Sequence, residues 1–290
     1  MKVSGFSIVR NAIKYDYPIV EAITSVLPYC DEFIVAVGKS DDQTLSLIRS
    51  IPSDKIKILE TIWDDSLREG GKVLALETDK ALRACSADSD WCFYIQGDEV
   101  IHEQFGPAIT EGMRKWKDHK EVEGLLFHYT HFYGSYDFTG DSRDWYAREI
   151  RIIRNDSRIH SYKDAQGFRL DGRKLNVKPI EAFVYHYGWV KPPELQQAKQ
   201  ESFHRMWHDD NWMKEHIPKT TSFDYSKIDS LERFQGTHPA VMKERIKKTN
   251  WEFSFDPSKK KFKSAKAKLL HFFFKKLGWK IGEYRNYKII

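Results

Sequence analysis

Trp91-Cys92-Phe93-Tyr94-Ile95-Gln96-Gly97-Asp98-Glu99 runs from five consecutive apolar residues straight into a polar, glycine-containing, acidic turn. A short apolar run bounded by turn residues reads as a strand buried on both faces, the habit of parallel sheets. The same pattern recurs upstream. Val3–Val9, Glu32–Gly38 and Lys55–Trp63 read as three earlier strands. Helical spacing lies between them. Ile19, Val20, Ile23, Val26 and Leu27 share one face. A second helix follows Ser40 or Asp41, either of which can cap it, and ends at Pro52. Gly71–Ala87 is a third, with Val73, Leu74, Ala81 and Leu82 inward. Strand and helix in strict alternation imply right-handed crossovers and an α/β fold with a parallel sheet.

Beyond residue 120 the pattern changes. Val122–Tyr129 and Glu149–Arg154 read as strands, with a polar, aromatic loop from His131 to Trp145 between them. Ala182–His186 is a further strand, before Gly188 and the Pro192-Pro193 break. From Glu194 onward the spacing is helical, and Ala265–Gly278 is basic and amphipathic. This divides the chain into a unit over 1–190 and a helical, basic extension over 191–290 packed on it.

Net charge is +5, and six lysines fall within Lys259–Lys268. Outside that segment the chain is near neutral, which argues against an electrostatic nucleic-acid binder. Cys30, Cys85 and Cys92 are dispersed and odd in number, so neither a disulfide framework nor a zinc site is expected. The N-terminus does not read as a signal peptide, and no run of about 18 apolar residues exists. The expected setting is cytoplasmic.

Ligands of open α/β sheets bind beyond the carboxyl ends of the strands. Arg10-Asn11 follows the first strand and Gly38 through Thr44 the second. Asp64-Asp65 and Arg68 through Lys72 follow the third, and Gln96 through Glu99 the fourth. Turn chemistry explains each alone. All four on one edge favour a ligand site. Asp98 and Glu99 suit a hard divalent cation bridging to phosphate, or else an acidic turn leading into a helix over Glu103–Trp116.

In the order and content of these motifs, residues 1–190 resemble the family 2 glycosyltransferases, in a divergent bacterial-type form. The resemblance implies a GT-A, Rossmann-like, mixed but mostly parallel sheet flanked by helices. It makes 1–110 the nucleotide-sugar half and 111–190 the acceptor half. Arg10-Asn11-Ala12 stands where the family has a Tyr-Asn-Glu-like turn. Ser40-Asp41-Asp42-Gln43-Thr44 stands for Ser-x-Asp-Gly-Thr, and Gly71-Lys72 opens the stretch that matches Gly-Lys-x-x-Ala-Leu-Asn. Gln96-Gly97-Asp98-Glu99 stands for Asp-x-Asp, and His186 for the late histidine. Three positions depart: Val37-Gly38 replaces an acidic residue, Gln96 the first aspartate, and Glu77 the usual asparagine.

The resemblance implies donor contacts from Arg10, Asn11, Ser40, Asp42, Lys72, Gln96 and Asp98. It implies a divalent cation, Mn2+ or Mg2+, on Asp98, Glu99 and His186. It implies an inverting transfer, whose base is Asp164 in His160-Ser161-Tyr162-Lys163-Asp164 or Asp144 in Arg143-Asp144-Trp145-Tyr146. The donor is then a nucleotide-sugar and the acceptor a glycan or lipid-linked sugar. The aromatic stretch His128–Trp145 offers an acceptor platform or a partly buried loop. Arg148, Arg151 and Arg154 are spaced to meet phosphate or carboxylate. His204 and His208 have the spacing of a zinc pair or of an ordinary core-edge pair. The C-terminal helix either lies on an anionic membrane at its inner face or docks on the domain. A non-catalytic sugar- or nucleotide-binding relative stays open as a rival reading, and a nucleotidyltransferase behind it.

Overall fold

Along Trp91–Tyr94, Trp91 and Phe93 enter one apolar cluster while Cys92 and Tyr94 enter another on the opposite face. This period-two alternation sets a sheet between two helical layers. In the computed structural model the described residues are all but Pro218, Lys219, Lys263, 278–281 and 283. Lys263 of the lysine segment and Gly278 of the basic tail thus lie outside the described residues.

The first half contains β1 (Val3–Val9), α1 (Ile19–Val26), β2 (Glu32–Gly38), α2 (Thr44–Arg49), β3 (Ile56–Thr61), α3 (Lys72–Arg83), β4 (Trp91–Tyr94), β5 (Glu99–Ile101) and α4 (Gly106–Trp116). There follow β6 (Gly124–Tyr133), β7 (Ser135–Gly140), β8 (Arg148–Arg154), β9 (Ile159–Tyr162), β10 (Gly167–Leu170), β11 (Arg173–Lys174) and β12 (Asn176–Trp189). The rest holds α5 (Pro193–Arg205), α6 (Asp210–His216), β13 (Leu231–Arg233), α7 (Lys243–Lys247), α8 (Ala265–Leu277) and β14 (Lys288–Ile289).

The main sheet runs β13-β7-β6-β8-β4-β1-β2-β3, with β12 on β6, β5 and β14. Strands β4, β1, β2 and β3 are mutually parallel. Antiparallel β8 joins this block to the far half, where β12 runs parallel to β6. The fold is thus mixed α/β, with helices against the sheet.

Four differences from the sequence reading matter. The expected loop after His131 is a hairpin of β6 and β7. Gly134, at φ +73°, makes its turn, and a Cβ there would stand 2.6 Å from the Phe253 ring. Second, Glu99 opens a strand, β5, which pairs antiparallel with Val184–His186. Third, neither Ser40 nor Asp41 caps α2: Gln43 holds the N-cap position without a side-chain bond, and Asp42 Oδ1, one residue earlier, accepts from the Thr44 amide at 2.9 Å. Fourth, residues 191–290 are not purely helical, because β13 and β14 complete the sheet. Helix α8 docks through buried His271 and through Lys275, 2.6 Å from Asp141, leaving Leu269, Phe272 and Leu277 exposed. Among the described residues no helix is long and apolar enough to cross a membrane.

Candidate functional site

The chain leaves β1 toward β2 on one side of the sheet and later returns to β4 on the other. That switch of direction opens a crevice beyond the strand ends. A cavity of about 560 Å3 lies there, lined by Arg10, Tyr17, Trp63, Gln96, Asp98, Asp164, His186 and Lys199 among others. Its size suits a small-molecule ligand. Helix α5 forms its roof and supplies Lys199, Ser202, Phe203 and His204.

At the floor, Lys199 Nζ donates to Asp98 Oδ2 at 2.9 Å and to the Gly188 carbonyl at 2.8 Å. Burial alone would raise the Asp98 carboxyl. The charge and hydrogen bond of Lys199 lead the effects that outweigh it and hold Asp98 well below the usual carboxylate range. Lys191 is fully buried, donating to the carbonyls of Tyr15 at 2.7 Å and Asp16 at 3.2 Å. Burial pushes the Lys191 pKa well below the usual lysine range. The Tyr17 ring lies 4.7 Å from Lys191 Nζ and 5.1 Å from Lys199 Nζ. Gly188 lets the group pack. A Cβ there would stand 2.5 Å from His186 Nε2 and 2.7 Å from Asp98 Oδ2.

Hydrogen bonding assigns the His186 tautomer. His131 Nε2 sits 2.8 Å from the Tyr146 carbonyl, which only accepts, so that nitrogen carries the proton. Neutral His131 then accepts at Nδ1 from His186 Nδ1–H, 3.1 Å away. His186 Nε2 is left as a lone pair, 3.8 Å from Asp98 Oδ2. Burial lowers the His186 pKa, in keeping with a neutral ring.

Glu99 departs from its expected role as a metal ligand. It is fully buried, and its two oxygens take Arg151 Nε and Nη2 at 2.7 Å each, with the Tyr129 hydroxyl also at 2.7 Å. Asp98 ends the turn before β5 and meets the cavity, while Glu99, the first residue of β5, faces the core. Among the described residues no group of three His, Cys, Asp or Glu side chains stands ready to hold a metal ion. Two carboxylates, Asp98 and Asp164, line the cavity, and Asp98, the one at the strand end, already holds an ammonium. This donor set does not fit a resident divalent ion.

Asp164 lines the main cavity and also a second one of about 440 Å3, with Tyr146 and Gln166. Asp144 lines only the second, beside Arg143, Trp145 and Lys163. Burial raises the Asp164 carboxyl pKa. Its neighbours Lys163 and Ala165 hold φ of +55° and +63°, costly for residues with a side chain. Gly71 presses on it, since a Cβ there would stand 2.7 Å from Asp164 Cβ. Gln96 Nε2 donates to the Ala165 carbonyl at 3.3 Å, tying the end of β4 to this loop.

The other expected donor contacts are placed differently. Arg10 reaches the cavity, stacked 4.7 Å from the Trp63 ring centroid and 2.6 Å from Asp65. Asn11 lines an adjoining cavity of about 470 Å3, but its Oδ1 accepts from the Asp41 amide at 2.8 Å. Ser40 accepts from the Asn11 amide at 3.0 Å and Asp42 from that of Lys14 at 2.8 Å, so these side chains clasp two loops together. Ser40 and Asp42 line a different hollow, with Gly38 and Thr61. Lys72 is exposed and pairs with Glu69 at 2.6 Å, away from the cavity lining. Gly38 has its own reason, because a Cβ there would meet Trp63 Nε1 at 2.4 Å.

Of the arginines, Arg151 meets Glu99, while Arg154 caps α4 through the Lys117, Trp116 and His119 carbonyls. His204 and His208 stack with Trp212 rather than forming a metal pair. Trp145 and Tyr146 of the aromatic stretch reach the second cavity, whereas Phe132 is core. The sequence reading missed Lys199, Lys191 and Glu149. A lysine in a helix carries no local signal. Glu149 is 5% exposed and lines the second cavity, accepting from Gln166 at 3.1 Å.

No protein-family model and no curated protein matches the chain. Among solved structures it is similar to TarS of S. aureus, at 16% identity over 70% of this chain and 39% of that one, with a TM-score of 0.42. It is similar to glucosyl-3-phosphoglycerate synthase from Mycobacterium tuberculosis, a structure with Mn2+, uridine diphosphate and glucosyl-3-phosphoglycerate. That likeness has 19% identity over 46% of this chain and 45% of the other, with a TM-score of 0.31. A third is 4-diphosphocytidyl-2C-methyl-D-erythritol synthase from Anaerococcus prevotii, at 14% identity over 62% of this chain and 89% of that one, with a TM-score of 0.38. The chain spans less than half the length of each of the first two. With TM-scores below 0.5, none of the three transfers a function to it.

Proposed function

We propose that this chain is a glycosyltransferase that binds a nucleoside-diphosphate sugar in the main cavity and passes the sugar to an acceptor hydroxyl entering from the second. The observation that carries the reading is the place of Asp164. A partly buried carboxylate stands where the two cavities meet, on a loop held in a costly backbone conformation. Backbone strain of this kind persists where surrounding structure enforces it, as at active sites.

The roles follow from the chemistry of each wall. Arg10 and Trp63 offer a cation and an aromatic face to the nucleoside. The Lys199 end of the cavity offers positive charge to the diphosphate. Asp164 takes the proton of the acceptor hydroxyl as its oxygen bonds to the anomeric carbon. The bond from that carbon to the phosphate oxygen breaks, its electron pair leaving with the nucleoside diphosphate. Attack from the second cavity, opposite the leaving group, inverts the anomeric centre. Asp144 stays further along the acceptor side. The motif order along residues 1–190 supports the same reading. The acceptor is a glycan or a lipid-linked sugar. Exposed Leu269 and Phe272 on α8, beside Lys266 and Lys268, would let the enzyme meet an anionic membrane from the cytoplasmic side.

The test is thermal unfolding with UDP, GDP, CDP, ADP and dTDP, followed by transfer assays with the sugar forms of whichever binds. A ligand at 100 times its Kd should stabilise by about 2.7 kcal/mol. Binding of one diphosphate, with Asp164→Asn retaining that binding and losing sugar transfer, is the expected result. A folded chain that shifts with none of them sinks the reading.

A further inference from the structure

The reading above leaves open how the charge of the diphosphate leaving group is met. Asp98 and Lys199 stand on the cavity floor, at the strand end nearest the switch point. An ammonium has three N–H groups. Among the described residues two of those of Lys199 go to Asp98 Oδ2 at 2.9 Å and to the Gly188 carbonyl at 2.8 Å. The third is left for a ligand oxygen. The lysine side chain is only 11% exposed, and Tyr17 packs 5.1 Å from its nitrogen, so its position is fixed before any ligand arrives.

Two further features agree. Gln96 stands where a second carboxylate would be needed, and its side chain is turned to the Ala165 carbonyl. Glu99 is committed to Arg151 in the core.

We propose that Lys199, anchored by Asp98 and Gly188, supplies the positive charge at the donor diphosphate, so that the chain binds and uses its donor without a divalent ion. This rests on the glycosyltransferase reading. During transfer the ammonium gives up no proton. It pairs with the phosphate oxygen on which the electron pair of the broken bond comes to rest, in the manner of a preorganised electrostatic group.

The test is calorimetric titration of the full chain with UDP, GDP, CDP, ADP and dTDP, in excess EDTA and again with MnCl2. One diphosphate is expected to bind with a Kd that differs by less than about 3-fold between the two conditions. Lys199→Met, shown folded by its circular dichroism and unfolding midpoint, should weaken binding in EDTA by about 10-fold or more, the scale of a lost charged hydrogen bond. Binding that appears only with MnCl2 overturns the inference and leaves the glycosyltransferase reading standing. So does a folded Lys199→Met chain with unchanged binding in EDTA. The EDTA comparison on the unsubstituted chain decides the matter even if the variant fails to fold. Absence of binding in both conditions removes the glycosyltransferase reading and this inference together.

Discussion

Glu99 and Arg151 form a two-pronged ion pair in which neither side chain is exposed to solvent. The pair joins β5 to β8 beneath the cavity floor, so it belongs to the structure that carries the site rather than to the site's surface. Removing one partner strands a buried charge, at a cost of about 3–5 kcal/mol. Glu99→Gln and Arg151→Met should each lower the urea midpoint, whether or not nucleotide or Mn2+ is present. A Glu99→Gln chain of full stability that has lost only metal-dependent turnover would return Glu99 to the role of ligand.

Gly188→Ala would put a methyl group against both His186 and Asp98. Overpacking of this kind costs about 1–3 kcal/mol, and the strain would fall on the groups that orient Lys199. The expected outcome is a folded protein whose nucleoside-diphosphate affinity drops about 10-fold or more, read by titration calorimetry.

Asp164→Asn should leave donor binding intact and reduce sugar transfer by about 100-fold or more, the usual span for a lost general base. Because burial raises the Asp164 pKa, the acid limb of kcat/KM should fall at a pH above 3.8, the ordinary aspartate value. Activity is lost as pH falls, since the base must be ionised. An acid limb at or below the ordinary value would remove Asp164 from this role.

Glu149 titrates in the opposite sense with respect to stability. Burial, with added repulsion from Glu99 and Asp164, pushes its pKa to about 8 from 4.5 despite the pull of Arg151. The folded chain therefore holds a proton that the unfolded chain releases. This contribution to stability is full below pH 4.5 and is lost as pH rises toward about 8. Glu149→Gln should flatten that part of the stability profile, measured by urea unfolding across the same window.

Of the four parallel strands, β1, β2 and β4 were legible in the sequence because each is a compact run buried on both faces, as Trp91–Tyr94 shows, while β3 at the sheet edge is only partly buried and carries polar residues. The gathering of polar turns on one edge followed from that order. Glu99 was not legible. Its facing depends on pairing with Val184–His186, about 85 residues later, which starts a strand at Glu99 and leaves Asp98 in the turn before it. That boundary separates two carboxylates that look like partners in the sequence. Lys199 was hidden for a similar reason. It lies 101 residues from Asp98, in a helix where lysine is common, and only the packing of α5 over the strand ends gives it a partner. Ser40 and Asp42 were visible as polar turn residues, but turn chemistry alone does not separate a loop clasp from a ligand contact.

The anchoring of Lys199 bears on where such an enzyme can work. A counter-charge drawn from solution rises and falls with transport and storage in the cell, and manganese and magnesium compete for the same place. A counter-charge built into a helix is made in a one-to-one ratio with the catalyst each time the chain is translated. On the proposed reading its dosage is set by gene expression alone, and a cell starved of manganese would keep the transfer running.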